Sequence, residues 1–197
     1  FLNLANVKYY LLRQGPKIMT IRNEGNLGRL SFASGYIVGD SSKIKALLSE
    51  NGYDYRTTVA LEKEPSFKPK ALDSGDVVGP LSVTWKQYTP NFREATVVAP
   101  RDGFLRISEV FYPGWQVKVD GKAVPVYRSD LSWMAVVITK GEHVVEMIPH
   151  SLYLRSAGFV SLGALIFVVL LVSGTLIVKP RSENAVAVLT SKKQSSV

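Results

Sequence analysis

The sequence contains no cysteine. Disulfides, thiolate zinc sites and a cysteine nucleophile are therefore excluded. Histidine is scarce as well. His143 and His150 are the only two, and they lie outside any H-x-x-x-H or H-E-x-x-H spacing, so a zinc site has no support. His143 follows a turn and begins a strand, where a surface or hydrogen-bonded histidine is expected. There is no G-x-S-x-G elbow and no Ser-x-x-Lys string for a serine hydrolase. The glycines of Gly25–Gly28 lack both the P-loop Lys-Ser/Thr and the dinucleotide spacing. Asp73 and Asp76 are spaced as a carboxylate pair but fall in a Pro-rich stretch, where solvated loop residues are expected. The sequence thus offers no catalytic residue, no metal ligand set and no cofactor motif.

What is present is a chain of 197 residues, 46% hydrophobic and 20% charged, with enough apolar material for a core. It opens on Phe1 rather than Met, without a signal-peptide pattern. The expectation is a removed leader or a piece of a longer chain. The net charge is +8. Before the long apolar run, 20 Lys and Arg face 15 Asp and Glu in dispersed order. A nucleic-acid footprint would cluster its basic residues on one element, so nucleic acid is not an expected partner.

Ser156–Val178 carries no charge, and its centre reads LGALIFVVLLV. A helix of about 22 residues rises about 33 Å, the thickness of a bilayer's hydrocarbon core. A core helix of a soluble domain would not be apolar on every face over that length. Lys179 and Arg181 follow the run, then Lys192 and Lys193, against Lys140 and Arg155 before it. This bias points the tail inward and the globular part outward. Tyr153 fits an interfacial anchor, and Ala157, Ser161 and Ala164 a helix-packing face. The polar tail, 179–197, is expected to be disordered and solvated, with its basic residues able to rest on anionic headgroups.

Residues 81–150 are dense in strand signals. Asp120-Gly121 supplies the positive φ angles of a two-residue hairpin turn, and Trp115, Val117 and Val119 alternate with polar neighbours before it. Lys140-Gly141 reads as a second hairpin turn, Pro100–Gly103 as a third turn and Pro90-Asn91 as a fourth. Strands are predicted at 81–88, 95–99, 104–111, 115–120, 124–128, 133–139 and 143–148. Their regular spacing indicates an antiparallel sandwich. In residues 1–80, strands are predicted at 7–12, 17–22, 30–38 and 57–61. A helix capped by Asp40 or Ser41 should run to Glu50 and end at Asn51-Gly52. Glu64–Pro80, with Pro65, Pro69 and Pro80, reads as a loop or linker. The predicted fold is therefore mainly β: an antiparallel sandwich-like domain with one short helix, then one transmembrane helix. Its parts are 1–80, 81–150, the span 156–178 and the tail 179–197.

Several segments line up with one family. NLANVKYYLL, NEGNLGRLSF, YDYRTTVALE, TKGEHVVEMIPHS and above all GFLRISEVFYPGWQVKVDGKAVPV resemble the C-terminal exterior region of the bacterial YfhO-type membrane proteins. The YPGW-x-V-x-V-DG string is the most specific part. The resemblance covers most of 2–151 and continues into the span. It implies a polytopic GT-C-like glycosyltransferase that moves a sugar from a polyprenyl-phosphate carrier to an exterior polymer such as lipoteichoic acid. Its catalytic carboxylate would lie in an early exterior loop outside this chain, so no catalytic residue is carried over. It implies a bacterial cell membrane, with the β-domain outside and the tail in the cytoplasm.

The remaining constellation is aromatic: Phe111, Tyr112 and Trp115 around Pro113-Gly114. Sugar rings stack their C–H faces on aromatics, and their hydroxyls need fixed polar groups. Tyr112, Trp115, Asp120 and Arg128 are thus candidate glycan-binding residues. The competing expectation makes Trp115 a core plug and Pro113-Gly114 a tight corner. Trp85 and Trp133 are expected in the core from their strand positions. The surplus of positive charge would attract a phosphate-rich acceptor polymer. Expected partners are the bilayer, an anionic envelope glycan and the rest of a longer polytopic chain. The alternative reading is a single-pass surface binding protein with a sandwich ectodomain.

Overall fold

The computed structural model describes residues 2–49, 52–69, 79–150 and 154–177. The chain divides into two units, 1–150 and 151–197. The strands are β1 (Tyr9–Gln14), β2 (Lys17–Arg22), β3 (Leu30–Ala33), β4 (Gly35–Val38), β5 (Thr58–Leu61), β6 (Ser82–Tyr88), β7 (Arg93–Ala99), β8 (Gly103–Ile107), β9 (Trp115–Val119), β10 (Lys122–Val124), β11 (Tyr127–Ser129), β12 (Trp133–Ile138) and β13 (Gly141–Pro149). Helix α1 spans Ser41–Ser49 and α2 spans Leu154–Ile177. The fold is mainly β, as the strand patterning predicts.

In the first unit, a five-stranded sheet runs β10-β9-β13-β7-β6 and a six-stranded sheet runs β3-β8-β12-β11-β5-β4. Every pairing is antiparallel except that of β4 with β5, which α1 joins as a crossover. Ala95, Val97, Val117, Val145 and Met147 of the first sheet meet Leu105, Ile107, Met134, Val136 and Ile138 of the second in one buried cluster. Strand alternation sends Phe104 and Ala135 to the opposite face, where they join Ala33, Val59 and Leu61 in a second cluster. Residues 1–80 and 81–150 are not separate domains, because β3, β4 and β5 complete a sheet with β8, β11 and β12.

The six-stranded sheet is strongly curled. Laid flat, its two edges would stand about 24 Å apart. Yet its edge strands, β3 and β4, are separated in sequence by Ser34 alone. The predicted strand 30–38 is therefore one bent segment that serves both edges.

Other predicted elements change for local reasons. Predicted strand 124–128 becomes the two short strands β10 and β11 in different sheets. Pro125 lies between them; it has no N–H for a ladder and marks the crossing point. Lys140-Gly141 is not a hairpin turn. It carries the chain from β12 in one sheet to β13 in the other, with Gly141 at φ 125°. Pro100–Gly103 makes a similar crossing from β7 to β8. Asp102 ties the two corners together by accepting the Lys140 N–H at 2.8 Å. Asp120-Gly121 is the expected two-residue turn, with φ of 52° and 75°. Asp40 caps α1 by accepting the Lys43 N–H at 2.8 Å. The helix's predicted end at Glu50 and Asn51 lies outside the described residues.

The second cluster's side of the six-stranded sheet holds a fully buried ion pair. Arg106 Nε donates to Asp130 Oδ2 at 2.7 Å, and its Nη atoms donate to the carbonyls of Tyr55 (3.0 Å) and Thr58 (2.7 Å). Asp130 Oδ1 accepts the Ala60 N–H at 3.0 Å and the Tyr53 hydroxyl at 3.2 Å. Burial and the nearby Asp130 charge push the Tyr53 hydroxyl well above its ordinary value, so it stays protonated and donates. Asp130 and Leu131 both have positive φ, 47° and 72°. That strain is tolerated because the ion pair and the Asp130 N–H to Ala60 carbonyl bond at 2.8 Å fix the turn.

The second unit contains α2. Its segment Ser156–Ser173 has a mean hydropathy of 2.4, and none of its residues is buried. It is long and apolar enough to cross a membrane. Tyr153, Lys179, Arg181 and the tail lie outside the described residues, as do Asp73 and Asp76.

Candidate glycan-binding surface

Trp85 and Tyr88 lie on β6, the edge strand of the five-stranded sheet. In a regular strand, residues three apart point to opposite faces. Here the pairing with β7 slips by one residue between Trp85 and Gln87. That bulge brings Tyr88 back to the face of Trp85, and the rings meet edge-on at 5.1 Å. Trp85 was expected in the core. It is 36% exposed, because an edge strand extends past the cover of the opposing sheet. Trp133 is half-buried.

The row continues inward across the sheet. Arg93, paired with Tyr88 in register, lies over the Tyr88 ring at 5.1 Å and over Trp115 at 5.3 Å. Trp115 meets Tyr112 at 5.6 Å. Arg29 stacks on Tyr88 at 4.7 Å. Glu109 Oε1 lies 3.3 Å from Arg29 Nη1, from Arg93 Nη1 and from the Tyr88 hydroxyl, which donates to it. Two guanidinium groups, one carboxylate and four aromatic rings thus form a ladder, Trp85–Tyr88–Arg93–Trp115–Tyr112. Cation–π attraction and the shared carboxylate hold the planes in place.

Tyr112 and Trp115 are positioned by the Tyr-Pro-Gly-Trp corner. The Gly114 carbonyl accepts the His150 N–H at 2.6 Å, and Trp115 Nε1 donates to the Val110 carbonyl at 3.1 Å. A Cβ at position 114 would collide with the His150 carbonyl and the Tyr112 ring, so only glycine fits. Trp115 is half-buried and packs against the sandwich core, while Tyr112 is exposed. The Trp115 ring packs against the core, as the core-plug expectation has it, and also carries the exposed Tyr112.

At the Trp85 end, a groove of about 300 Å3 is lined by Asn6, Lys8, Arg29, Val83 and Trp85, among others. Asn6 holds φ 56°, and its buried Oδ1 has no hydrogen-bond partner among the described residues. The groove therefore combines an aromatic wall with two cations. That combination suits a hydroxyl-bearing, negatively charged ligand.

Asp120 and Arg128 do not join this surface. Asp120 lies at the far end of β9 from Trp115, about 16 Å along the strand. There it accepts from His143 Nδ1 at 2.7 Å and from the Val144 N–H at 2.9 Å. These bonds hold its carboxyl below the ordinary aspartate range. Arg128 belongs to β11 in the other sheet, where it donates to the Leu131 carbonyl at 2.6 Å and pairs with Glu62 at 3.4 Å. Of the four predicted residues, the structure brings together Tyr112 and Trp115. It adds Asn6, Lys8, Arg29, Trp85, Tyr88, Arg93 and Glu109. One signal for the addition lay in WKQY: the second aromatic follows at three residues, which breaks the strand period and marks a bulge. Comparison with models of known families, with curated proteins and with solved structures finds no match to this chain.

Proposed function

We propose that this chain is the C-terminal exterior accessory domain and last membrane span of a polytopic membrane glycosyltransferase, and that it holds an anionic envelope glycan for the parent enzyme. The observation that carries the glycan role is the aromatic–arginine ladder with its adjoining groove. Exposed Trp85 and Tyr112 offer faces for sugar rings, and Tyr88, held under Arg29 and Arg93, fixes the ladder between them. Lys8 and Arg29, which line the groove, attract phosphate groups. The YPGW-x-V-x-V-DG resemblance supports the transferase parent, and the apolar α2 supports a place at the bacterial cell membrane. The basic residues that follow it support an outside location for the β-domain and a cytoplasmic tail. The chain itself carries out no transfer.

The test is retention on immobilised lipoteichoic acid, read with the full chain in lipid nanodiscs. Trp85→Ala should lose retention at a smaller cost in melting temperature than Trp115→Ala, since the ring is 36% exposed on an edge strand. Trp115→Ala should lower both, because truncating a packed large aromatic costs about 3–5 kcal/mol. Full retention by a folded Trp85→Ala, Tyr88→Ala double variant would defeat the glycan role. The parent is tested separately, by blotting source membranes with an antibody against residues 81–150. A band several times heavier than the 21.7 kDa chain supports a polytopic parent. A band near that mass favours the single-pass binding protein.

A further inference from the structure

β1 and β2 form a hairpin that, among the described residues, pairs with no other strand. Eleven of its twelve strand residues are exposed. Those residues are not polar: Leu11 and Ile18 are each 70% exposed, and Tyr9, Leu12, Met19 and Ile21 are exposed as well. The register places Leu12 opposite Met19 and Tyr10 opposite Ile21 on one face. Tyr9, Leu11 and Ile18 lie on the other. Both faces are therefore apolar. A two-stranded ribbon of this kind is marginal in water without a surface to cover it. Its base is nevertheless fixed. The Asn23 side chain donates to the Val7 carbonyl at 2.7 Å and to Asn3 Oδ1 at 2.9 Å, while the Asn23 N–H donates to the Lys8 carbonyl at 2.8 Å.

The charges on the hairpin have one sign. Arg13 and Lys17 flank the Gly15-Pro16 tip, and Lys8 and Arg22 stand at the base, with Glu24 beside Arg22 as the one nearby carboxylate. Apolar residues on both faces do not suit a protein groove, which would cover one face. They suit a medium that surrounds the ribbon. Tyrosines and basic residues are the side chains that favour the headgroup level of a bilayer, the basic ones where lipids are anionic. Four residues separate β13 from α2, so a bilayer crossed by α2 is always within tether range of this domain.

We infer that the β1–β2 hairpin inserts into the headgroup and upper acyl region of an anionic bilayer, as a second membrane attachment beside α2. The outer edges of both strands carry unpaired N–H and C=O groups, and these set a limit on depth. Such groups are not tolerated in the hydrocarbon core, so the hairpin stays at interfacial level.

The chain has no cysteine, so a single introduced thiol gives a unique label site. Thr20→Cys on the hairpin and Lys122→Cys at the start of β10 are nitroxide-labelled in the full chain. The chain is reconstituted into nanodiscs of equal parts phosphatidylcholine and phosphatidylglycerol. The label at 20 should be reached by oxygen in preference to a water-soluble nickel chelate, and the label at 122 should show the reverse. Leu11→Asp with Ile18→Asp should abolish the oxygen preference at 20. The charge-only variant Arg13→Gln with Lys17→Gln should reduce it, as should pure phosphatidylcholine. Tryptophan-monitored unfolding should be unchanged in all of these variants, because none of the replaced residues touches the core. Free nickel access at 20, equal to that at 122, overturns the inference. So does poor access of both reagents, which would mean that protein covers the hairpin. Glycan retention is not read here, so this result and the ladder's role stand or fall separately.

Discussion

Replacing Arg106 by Met probes the interior of the curled sheet. Methionine keeps an unbranched stem of similar shape but removes three donated bonds, those to Asp130 Oδ2 and to the carbonyls of Tyr55 and Thr58. The Thr58 carbonyl still shares the one Tyr53 hydroxyl proton, at 3.0 Å, with Asp130 Oδ1 at 3.2 Å. The Asp130 carboxylate, however, is fully buried and would be left without its counter-charge. Removing one partner of a buried ion pair costs about 3–5 kcal/mol, because the remaining charge cannot return to water. For a domain of this size, that corresponds to a melting temperature lower by about 6–20 °C. The assay is thermal and urea unfolding of the full chain in detergent, followed by tryptophan fluorescence, since Trp85, Trp115 and Trp133 all report on the β-domain. The double variant Arg106→Met, Asp130→Asn should be less destabilised than the sum of its single variants, because it strands no charge. An Arg106→Met variant that loses less than about 1 kcal/mol, or strictly additive single variants, would refute the claim that this pair holds the Tyr53–Leu61 segment against the β11–β12 turn.

Two further outcomes are expected. Asp120→Asn should destabilise the β-domain at neutral pH, since the wild-type carboxylate is favoured by its bonds from His143 and the Val144 N–H. A carboxyl held low in the folded state adds stability above its unfolded pKa and loses it as pH falls through the folded value. The gap between variant and wild type should therefore close below about pH 4; a gap that persists at pH 2 in urea titrations would contradict this. Gly114→Ala should cost about 1–3 kcal/mol through overpacking against the His150 carbonyl and the Tyr112 ring. Gly52→Ala, where nothing lies within 4 Å of the added Cβ, should cost well under 1 kcal/mol by the same melt.

The local features of this protein were legible in its sequence. The uncharged run 156–178 specifies a membrane-compatible helix because its residues are apolar on every face, whatever surrounds it. Asp120-Gly121 specifies a hairpin because those residues accept positive φ, and Asp40 caps α1 because its carboxylate reaches the next free N–H. Each is settled by neighbours within a turn or a strand pair. What the tertiary structure decided is which strands share a sheet. Strand character on both sides of Lys140-Gly141 is legible, but the expected hairpin turn there is a crossing between sheets and the expected single strand 124–128 is two short ones, because the sheet to which each belongs depends on partners far away in sequence. The same distance hid the aromatic–arginine ladder and its groove. Asn6, Arg29, Trp85, Arg93, Glu109 and Trp115 come from six separate segments. Strand pairing and one bulge bring them onto one face, and Asp120 and Arg128, close in sequence to Trp115, are carried elsewhere. Arg106 and Asp130 were unremarkable charged residues in the sequence. Only the curling of the six-stranded sheet removed both from water, and that made them a pair.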